Sequence, residues 1–291
     1  MTVGVVGAGT MGTGVAQCFA AAGHHVVVVD PAPGALASGP RRIRDGLRLQ
    51  ALLARRPTAD RPPAPRPETV LARIRWTDLI AELSGAEFVV ECAPERLPVK
   101  HQVFSDLDQL HPAPTVLASC TSAIPIGRLA AVTNRPDAVI GTHFMNPAPL
   151  KTAVEVVRCA TTSDHTLRRT VALLAAIGKS AIVVADGPGF VSNRVLMVMI
   201  NQAVAVLEDG VADAGTVDRI FEDCAGHTMG PLRTADLIGL DTVLDTLAVL
   251  RDITGDARFE PRPLLVELTE QGHLGRKTGR GFHTYAAPDT A

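Results

Sequence analysis

Two residues near the middle of the chain, His143 and Glu155, could together carry out acid–base chemistry. His143 lies at the end of the apolar run VIGTHF, and Glu155 interrupts the apolar run AVEVV. A carboxylate inside such a strand must be paired or change its pKa, because burying an isolated charge is costly. An imidazole would satisfy it, and the carboxylate would orient the ring and stabilise its protonated form. Taken alone, His143 would be interpreted as a core histidine and Glu155 as an acid that faces solvent. Beside a hydride acceptor, the pair instead indicates a general base and its orienting carboxylate.

The first thirty residues could supply the binding site for that hydride acceptor. The strand TVGVVG leads into a loop of G-x-G-x-x-G spacing that consists of Gly7, Ala8, Gly9, Thr10, Met11 and Gly12. The first glycine permits a tight turn, the second lets the backbone approach a pyrophosphate, and the third lets the following helix pack on the strand. Asp30 ends the next strand, HVVVVD, where a carboxylate accepts from a ribose 2′-OH and repels a 2′-phosphate. This order of elements predicts a site for NAD rather than NADP, with FAD as the smaller alternative.

The composition argues against several classes of protein. Apolar residues make up 46% and charged residues 20% of the 291 residues, as in a globular chain. The formal net charge of −2 gives no reason to expect binding to nucleic acid or to a membrane. The five cysteines are scattered without a CxxC pair, so we expect neither a disulfide framework nor a metal site, and a cytoplasmic location fits best. No apolar run reaches the ~18 residues of a membrane span, and the N-terminus lacks the pattern of a signal peptide.

Strands and helices alternate through residues 1–186, which predicts an α/β fold with a Rossmann-type, doubly wound parallel sheet. After the first two strands, further strands are expected at 86–93, 115–120, 138–144, 153–157 and 181–185. A basic helix is expected at 40–56, and the proline-rich residues 57–69 are expected to form a loop or the tip of a helix–loop–helix. Helical patterns follow one another without strands in residues 187–291, which predicts an all-α domain. Since so small an apolar helical domain often buries one face against a second copy, we expect a homodimer.

Seven segments of the chain resemble the 3-hydroxyacyl-CoA dehydrogenase family in order and along nearly its whole length. They are GAGTMGTGVA, FVVECAPERLPVKHQVFSDLD, VLASCTSAIPIGRLA, VIGTHFMNPAPLKTAVEVV, DGPGFVSNRVLM, GHTMGPLRTADLIGLDT and GRKTGRGFHTY. The resemblance implies an N-terminal nucleotide-binding domain, a C-terminal helical dimerisation domain, and NAD as the cofactor.

The resemblance also implies roles for four side chains in the oxidation of a 3-hydroxyl group. The base and its orienting carboxylate fall on His143 and Glu155, the pair already identified from the residues. Ser122 of CTSAIP and Asn193 of FVSNR match the family's groups that hydrogen-bond to the substrate oxygen. From the residues alone, Ser122 and Asn193 would each be interpreted as a helix N-cap.

Glu95 and Lys100 of PERLPVK match positions at which the family contacts its cofactor. From the residues alone, they would be interpreted as a solvated helix N-terminus with an ordinary i,i+5 charge pair.

The chain departs from the family pattern at three positions near the implied acyl pocket. Cys120 stands where asparagine is expected, Ala123 replaces a serine, and Met145 replaces a phenylalanine. These changes leave the acyl preference open. A nucleophilic role for Cys120 is not favoured, since nothing nearby in sequence would lower its pKa, and a small buried thiol is expected instead.

Three substrate classes and one non-catalytic function remain open at this point. Acyl-coenzyme A is the substrate expected first. Its phosphates could be bound by four arginines of the basic, proline-rich region, namely Arg55, Arg56, Arg61 and Arg66. A solvated loop explains these arginines better. An acyl carrier protein bearing a hydroxymalonyl-type unit for polyketide synthesis is a close alternative, because it presents the same phosphopantetheine arm. A sugar acid such as gulonate ranks lower. A non-catalytic NAD-binding protein is disfavoured, since all four implied site residues are intact.

Overall fold

The computed structural model describes residues 1–53, 65–110 and 114–285. The chain forms two compact units that divide between Gly187 and Pro188, one residue from the boundary expected from the sequence. Arg55, Arg56 and Arg61 lie outside the described residues, as does the end of the helix expected at 40–56. Arg66 is described and is exposed.

An eight-stranded sheet forms the centre of the first unit. Its strands are β1 (Thr2–Val6), β2 (His25–Val29), β3 (Ile74–Thr77), β4 (Phe88–Glu91), β5 (Val116–Ser119), β6 (Val139–Phe144), β7 (Ala153–Arg158) and β8 (Ser180–Ala185). They lie in the order β3-β2-β1-β4-β5-β6-β7-β8. The inner strands are rich in valine and buried on both faces, which is typical of parallel strands covered by helices on each side.

Strand β7 runs antiparallel to β6, so the expectation of a wholly parallel sheet is wrong at this one pairing. The reason is the length of the connection, since a parallel crossover needs a dozen or more residues and only residues 145–152 join the two strands. A helix joins β7 to β8, and these two strands are parallel again. The other pairings in the sheet are parallel as expected.

Strand β3 is absent from the strands expected from the sequence. It contains four residues, IRWT, and pairs only with β2 at one edge of the sheet. Its short length and charged Arg75 conceal the strand pattern.

The α-helices that the structure describes around the sheet are α1 (Thr10–Ala21), α2 (Pro33–Leu53), α3 (Pro67–Leu71), α4 (Leu97–Leu110), α5 (Ile126–Ala130) and α6 (Asp164–Ala176). Helix α1 is the most deeply packed, and its small residues Gly12, Ala16 and Ala20 lie against the sheet. Helix α2 begins at Pro33, seven residues before the expected start, and Pro40 lies inside it.

The second unit is helical, as expected. Its helices are α7 (Ser192–Glu208), α8 (Ala214–Arg219), α9 (Pro231–Ile238), α10 (Leu240–Thr254) and α11 (Pro263–Glu270), and a π-helical turn follows α8 at Ile220–Cys224. Among the described residues, no helix has both the length and the apolar character needed to cross a membrane.

Two buried aspartates organise the second unit. Asp218 accepts hydrogen bonds from the backbone N–H groups of Leu232 and Arg233 and from His283 Nε2, at 2.8, 3.0 and 2.7 Å. Asp236 accepts from the backbone N–H groups of Phe282 and His283 and from the Tyr285 hydroxyl, at 2.9, 2.9 and 2.8 Å. Because α8 and α9 carry these carboxylates, they hold the GFHTY segment in place.

Candidate functional site

His143 and Glu155 face each other across the antiparallel pairing of β6 with β7. They are register partners on β6 and β7, and the distance from His143 Nδ1 to Glu155 Oε2 is 3.0 Å. His143 is 4% exposed and Glu155 is 7% exposed. The structure therefore brings the two residues together as the sequence predicts, and it does so because the strand pairing fixes which residues meet.

The hydrogen bond between them determines which ring nitrogen can act as a base. An ionised carboxylate can only accept a hydrogen bond, so His143 Nδ1–H is the donor to Glu155. In the neutral ring the lone pair then lies on Nε2, the nitrogen that can take up a proton. Glu155 stabilises the positive charge that follows. This arrangement suits a general base.

A second cluster of charged groups lies where β4 ends. Lys100 of α4 is 1% exposed and Glu91 of β4 is fully buried, and Lys100 Nζ donates to Glu91 Oε1 at 2.7 Å. The same ammonium donates to the Ala93 carbonyl at 3.1 Å and lies 3.3 Å from Glu95 Oε2. Ser119 on β5 donates to the other oxygen of Glu91 at 2.6 Å. The interpretation of Glu95 and Lys100 as a solvated surface pair is therefore wrong.

The groups around Lys100 indicate that it stabilises Glu91 and Glu95. Burial disfavours its charge, but Glu91 and Glu95 outweigh burial and raise the pKa of Lys100 to about 12. Its three protons face Glu91, Glu95 and the Ala93 carbonyl, so the ammonium has little capacity left for the direct cofactor contact that the resemblance implies. Lys100 instead fixes Glu95.

Glu95 in turn shapes the loop that carries Ser122. Its Oε1 accepts from the Thr121 hydroxyl and from the backbone N–H groups of Ser122 and Ala123, each of the latter at 2.9 Å. Burial opposes ionisation, but the charge of Lys100 and these hydrogen bonds outweigh it and lower the pKa of Glu95. Glu95, ionised at neutral pH, therefore holds the loop that follows β5.

Neither Ser122 nor Asn193 is a helix N-cap, so those interpretations are wrong. Helix α5 has Pro125 as its N-cap, and Asp186 accepts from the N–H groups of its first two residues. Asn193 is the second residue of α7, behind the N-cap Val191. Ser122 thus lies in the first unit, on the loop after β5, and Asn193 lies in the second unit.

The glycine loop has the geometry that its spacing predicts. Gly7 has a φ of +104°, and a Cβ atom there would collide with the Cys92 carbonyl oxygen. A Cβ atom at Gly12 would collide with the Gly7 carbonyl oxygen, whereas one at Gly9 would meet nothing within 4 Å. Gly9 is the N-cap of α1, and no side chain that the structure describes accepts a hydrogen bond from the N–H groups of the first turn. Gly9 and Thr10 are both exposed. The backbone N–H groups at this helix N-terminus fit a pyrophosphate.

Asp30 follows β2 and lies against the same loop. Its Oδ2 accepts from the Ala8 N–H at 2.7 Å, and its Oδ1 accepts from the Ala32 N–H at 2.8 Å. Each carboxylate oxygen can accept a second hydrogen bond, so the position fits a ribose hydroxyl. Arg42 of α2 donates to the Ala8 carbonyl at 2.8 Å, a support for the loop that sequence reasoning missed.

Glu91 and Thr121 are the other residues of the site that were missed. Glu91 carried a usable signal, because a glutamate at the end of the apolar run FVVE requires a buried partner. Arg42 carried none, since it lies 34 residues from Ala8 in a generally basic helix.

Comparisons with known proteins agree with this geometry. The family model for the 3-hydroxyacyl-CoA dehydrogenase NAD binding domain matches residues 2–187, and the model for the C-terminal domain of the same enzymes matches residues 189–285. The chain is 42% identical to a probable 3-hydroxybutyryl-CoA dehydrogenase of Bacillus subtilis over 97% of this chain and 96% of that protein. It is 40% identical to the 3-hydroxybutyryl-CoA dehydrogenase of Bradyrhizobium diazoefficiens over 97% and 94%.

A solved structure supports the same conclusion. The crystal structure of (S)-3-hydroxybutyryl-CoA dehydrogenase from Ralstonia eutropha matches with a TM-score of 0.86 and 39% identity, covering 98% of this chain and 99% of that one. The matches extend over both units, and the glycine loop belongs to the part that the NAD-binding model covers. The chain therefore belongs to the 3-hydroxyacyl-CoA dehydrogenase family of NAD-dependent oxidoreductases.

Proposed function

We propose that the protein oxidises the 3-hydroxyl group of a short 3-hydroxyacyl-CoA, foremost 3-hydroxybutyryl-CoA, and catalyses the reverse reduction. The observation that carries the proposal is the buried pair His143–Glu155, with Nδ1 and Oε2 3.0 Å apart. A histidine held in this way is suited to remove a hydroxyl proton. The names of the relatives supply the substrate class, since the proteins from B. subtilis and B. diazoefficiens are both described as 3-hydroxybutyryl-CoA dehydrogenases.

In the proposed mechanism, His143 Nε2 takes the proton of the substrate hydroxyl while the C–H bond of the same carbon breaks. NAD⁺, when bound, supplies the acceptor for the hydride. Glu155 keeps the proton of the neutral ring on Nδ1 and stabilises the imidazolium that forms. In the reduction, the imidazolium returns its proton to the developing alkoxide.

Ser122 and Asn193 are proposed as hydrogen-bond donors to the substrate oxygen. Donors placed where charge develops stabilise a transition state strongly. Glu95, held by Lys100, fixes the backbone of Ser122 and Ala123, which supports this role for Ser122. The role of Asn193 rests on the resemblance.

The glycine loop is proposed to bind the pyrophosphate of NAD through Gly7, Gly9, Thr10, Met11 and Gly12. Asp30 is proposed to accept from the ribose of the adenosine half, and its negative charge would repel the 2′-phosphate of NADP. Glu95 is proposed to contact the cofactor, with Lys100 acting through it.

Coenzyme A is preferred as the carrier over an acyl carrier protein, because the relatives named above bear the names of CoA enzymes. No observation favours the hydroxymalonyl-type substrate or a sugar acid. Cys120 and Ala123 are buried, so they would act on acyl preference through packing rather than by contact at the surface.

We also infer a homodimer and a cytoplasmic location. The homodimer rests on the small, apolar helical domain. The location rests on the cysteines, all of which are free thiols, as expected in a reducing compartment. Light scattering during gel filtration would test the dimer, and a mass of one chain would contradict it.

The experiment that tests the function measures NADH formation by the purified protein from both enantiomers of 3-hydroxybutyryl-CoA, with NAD⁺ and with NADP⁺. We expect turnover with one enantiomer and a clear preference for NAD⁺. The same assay with a hydroxymalonyl unit on a carrier protein is the control. A higher kcat/KM with the carrier protein would overturn the choice of substrate, and no turnover with either would overturn the function.

A further inference from the structure

Two cysteines, Cys92 and Cys120, lie side by side where β4 and β5 end. The last register pair of these parallel strands is Glu91 with Ser119, so the next residues along each strand are Cys92 and Cys120. The ladder continues there, since the Cys120 N–H donates to the Glu91 carbonyl at 2.7 Å. Neighbouring strands are about 4.8 Å apart, within the range of about 4.4–6.8 Å between Cα atoms that a disulfide spans.

The two side chains are neighbours on one face of the sheet. They directly follow a register pair of parallel strands, and side chains opposite each other in such strands point to the same face. Cys120 continues the row of Val116 and Ala118 in the core cluster that lies under α1, and Cys92 packs against that cluster. Cys120 is 9% exposed and Cys92 is half-buried, so Cys92 is the more accessible residue of the two.

The pair also lies directly beneath the glycine loop. The Cys92 carbonyl is the group that a Cβ atom at Gly7 would strike, and the Cys92 Cβ lies 3.5 Å from where a Cβ atom of Gly12 would be. The Cys92 N–H donates to the Val6 carbonyl at 2.7 Å, just before the loop begins. The backbone of Cys92 is therefore in direct contact with the start of the loop.

We propose that Cys92 and Cys120 form an oxidisable site that hydrogen peroxide converts into an intramolecular disulfide, and that the disulfide weakens the binding of NAD. The Cys120 thiolate attacks one peroxide oxygen, an S–O bond forms, the O–O bond breaks, and hydroxide leaves and takes up a proton. Cys92 then attacks the Cys120 sulfur, the S–S bond forms, the S–O bond breaks, and water leaves with the Cys92 proton. The two thiols together lose two electrons and two protons, and the peroxide is reduced to two molecules of water.

The surroundings favour Cys120 as the attacking thiol. The hydrogen bond from Cys92 and, against the effect of burial, the nearby charge of His143 lower the pKa of Cys120. The same hydrogen bond and burial raise the pKa of Cys92 well above its usual value. The thiolate is the nucleophilic form of cysteine, so this asymmetry gives the two residues different roles.

The effect on NAD follows from the position of the pair and rests on the proposed role of the glycine loop. A bond between the two sulfur atoms holds them about 2.05 Å apart, closer than two non-bonded sulfur atoms can lie. Because the Cys92 carbonyl packs against Gly7 without room for a methyl group, a shift of the Cys92 backbone towards Cys120 changes the support of the loop. We expect a several-fold increase in the Kd of NAD⁺.

The test treats the full-length protein with hydrogen peroxide in a Cys224→Ser background, which removes the exposed thiol. Non-reducing peptide mapping would locate the crosslink, and NAD⁺ binding would be titrated before oxidation, after it, and after reduction with dithiothreitol. Cys120→Ser and Cys92→Ser are the test variants. Cys159→Ser is the matched control, because Cys159 is another buried thiol, 3% exposed, in the same unit.

We expect a Cys92–Cys120 crosslink, a several-fold weaker affinity for NAD⁺ that dithiothreitol restores, and the same response in Cys159→Ser. Cys120→Ser and Cys92→Ser should give neither change. Absence of the crosslink in the Cys224→Ser protein, or an equal loss of affinity in Cys120→Ser, would overturn the site. A crosslink with unchanged affinity would overturn the coupling to NAD. Peptide mapping needs no substrate, so failure of the proposed 3-hydroxyacyl-CoA activity would be seen separately.

Discussion

The described residues include a histidine–carboxylate pair in each unit, and the surroundings of the two pairs differ: His143 and Glu155 are both buried, whereas Asp218 is buried and the His283 side chain is 16% exposed. His143 and Glu155 meet across two strands of the sheet, with 3.0 Å between Nδ1 and Oε2. His283 and Asp218 meet in the helical unit, with 2.7 Å between Nε2 and Oδ2. Asp218 also accepts from two backbone N–H groups at the start of α9.

The comparison teaches that a histidine–carboxylate pair is not by itself a base. Asp218 accepts hydrogen bonds from backbone N–H groups, which do not change protonation. The backbone N–H of His283 in turn donates to Asp236. That pair holds the C-terminal segment to α8 and α9. His143, by contrast, lies at the carboxyl end of β6, and ligands of open α/β sheets bind outside the carboxyl ends of the strands. Three substitutions would break or sharpen this contrast, and a fourth tests the ion pair of Glu95 with Lys100.

The largest effect is expected from His143→Gln. The amide can still donate to Glu155, so the fold should persist, but it cannot take up a proton. We expect kcat/KM with 3-hydroxybutyryl-CoA to fall by about 10²–10⁴, measured as NADH absorbance, with circular dichroism to verify folding. His283→Gln is the matched control and should keep a wild-type kcat/KM per folded molecule. Equal losses in the two variants would remove the distinction between the pairs.

Glu155→Gln should have the next largest effect, also on activity. The amide donates to Nδ1 and so favours the ring tautomer with the proton on Nε2, where the base needs a lone pair. We expect kcat to fall by about 10²-fold or more, with a smaller change in KM. Steady-state kinetics would show this, and an unchanged kcat would mean that Glu155 does not set the tautomer.

Asp218→Asn should lower stability rather than turnover. The amide cannot satisfy all three donors that now bind the carboxylate, so we expect a loss of about 1–3 kcal/mol in the free energy of unfolding. Urea denaturation followed by ellipticity would measure it. Asp223→Asn is the control, because Asp223 is exposed in an ion pair with Arg219, and we expect a change within about 0.5 kcal/mol. A stable Asp218→Asn protein with lost turnover would reverse the roles assigned to the two pairs.

The smallest effect is a pH dependence at Glu95. Its pKa in the folded protein is lowered from 4.5, so its contribution is fully present above about pH 4.5 and is lost as the pH falls through the folded value. The difference in unfolding free energy between the wild type and Glu95→Gln should therefore be constant from pH 7 to 5 and shrink below pH 4. Urea titrations at these pH values would measure it, and a difference that grows on acidification would contradict the ion pair with Lys100.

Much of the fold could be predicted, because local pattern determined it. Strand β2 is a run of valines, and the glycine spacing gave the loop and the start of α1. The direction of β7 could not be obtained from the same pattern, because alternation of apolar residues is identical for parallel and antiparallel strands. Strand β3 was missed because four residues are too few to establish a period.

Part of the site was predictable for a similar reason. His143 and Glu155 each stood out as a polar residue in an apolar strand, and burial then required a partner. The environment of Lys100 could not be predicted, since the spacing to Glu95 resembles a surface pair. Its other partner, Glu91, is set by how α4 folds back on the end of β4. The contact of Cys92 with Cys120 depends on the register of strands 28 residues apart.

Because β6 and β7 pair in a fixed register, the alignment of His143 with Glu155 can change only in steps of whole residues. A one-residue slip of β7 would turn Glu155 to the opposite face of the sheet. A two-residue slip would present Ala153 or Val157 to His143 instead. Insertions among residues 145–152 should therefore be tolerated as long as the ladder re-forms, whereas a single residue inserted in β7 before Glu155 would separate the imidazole from its anion.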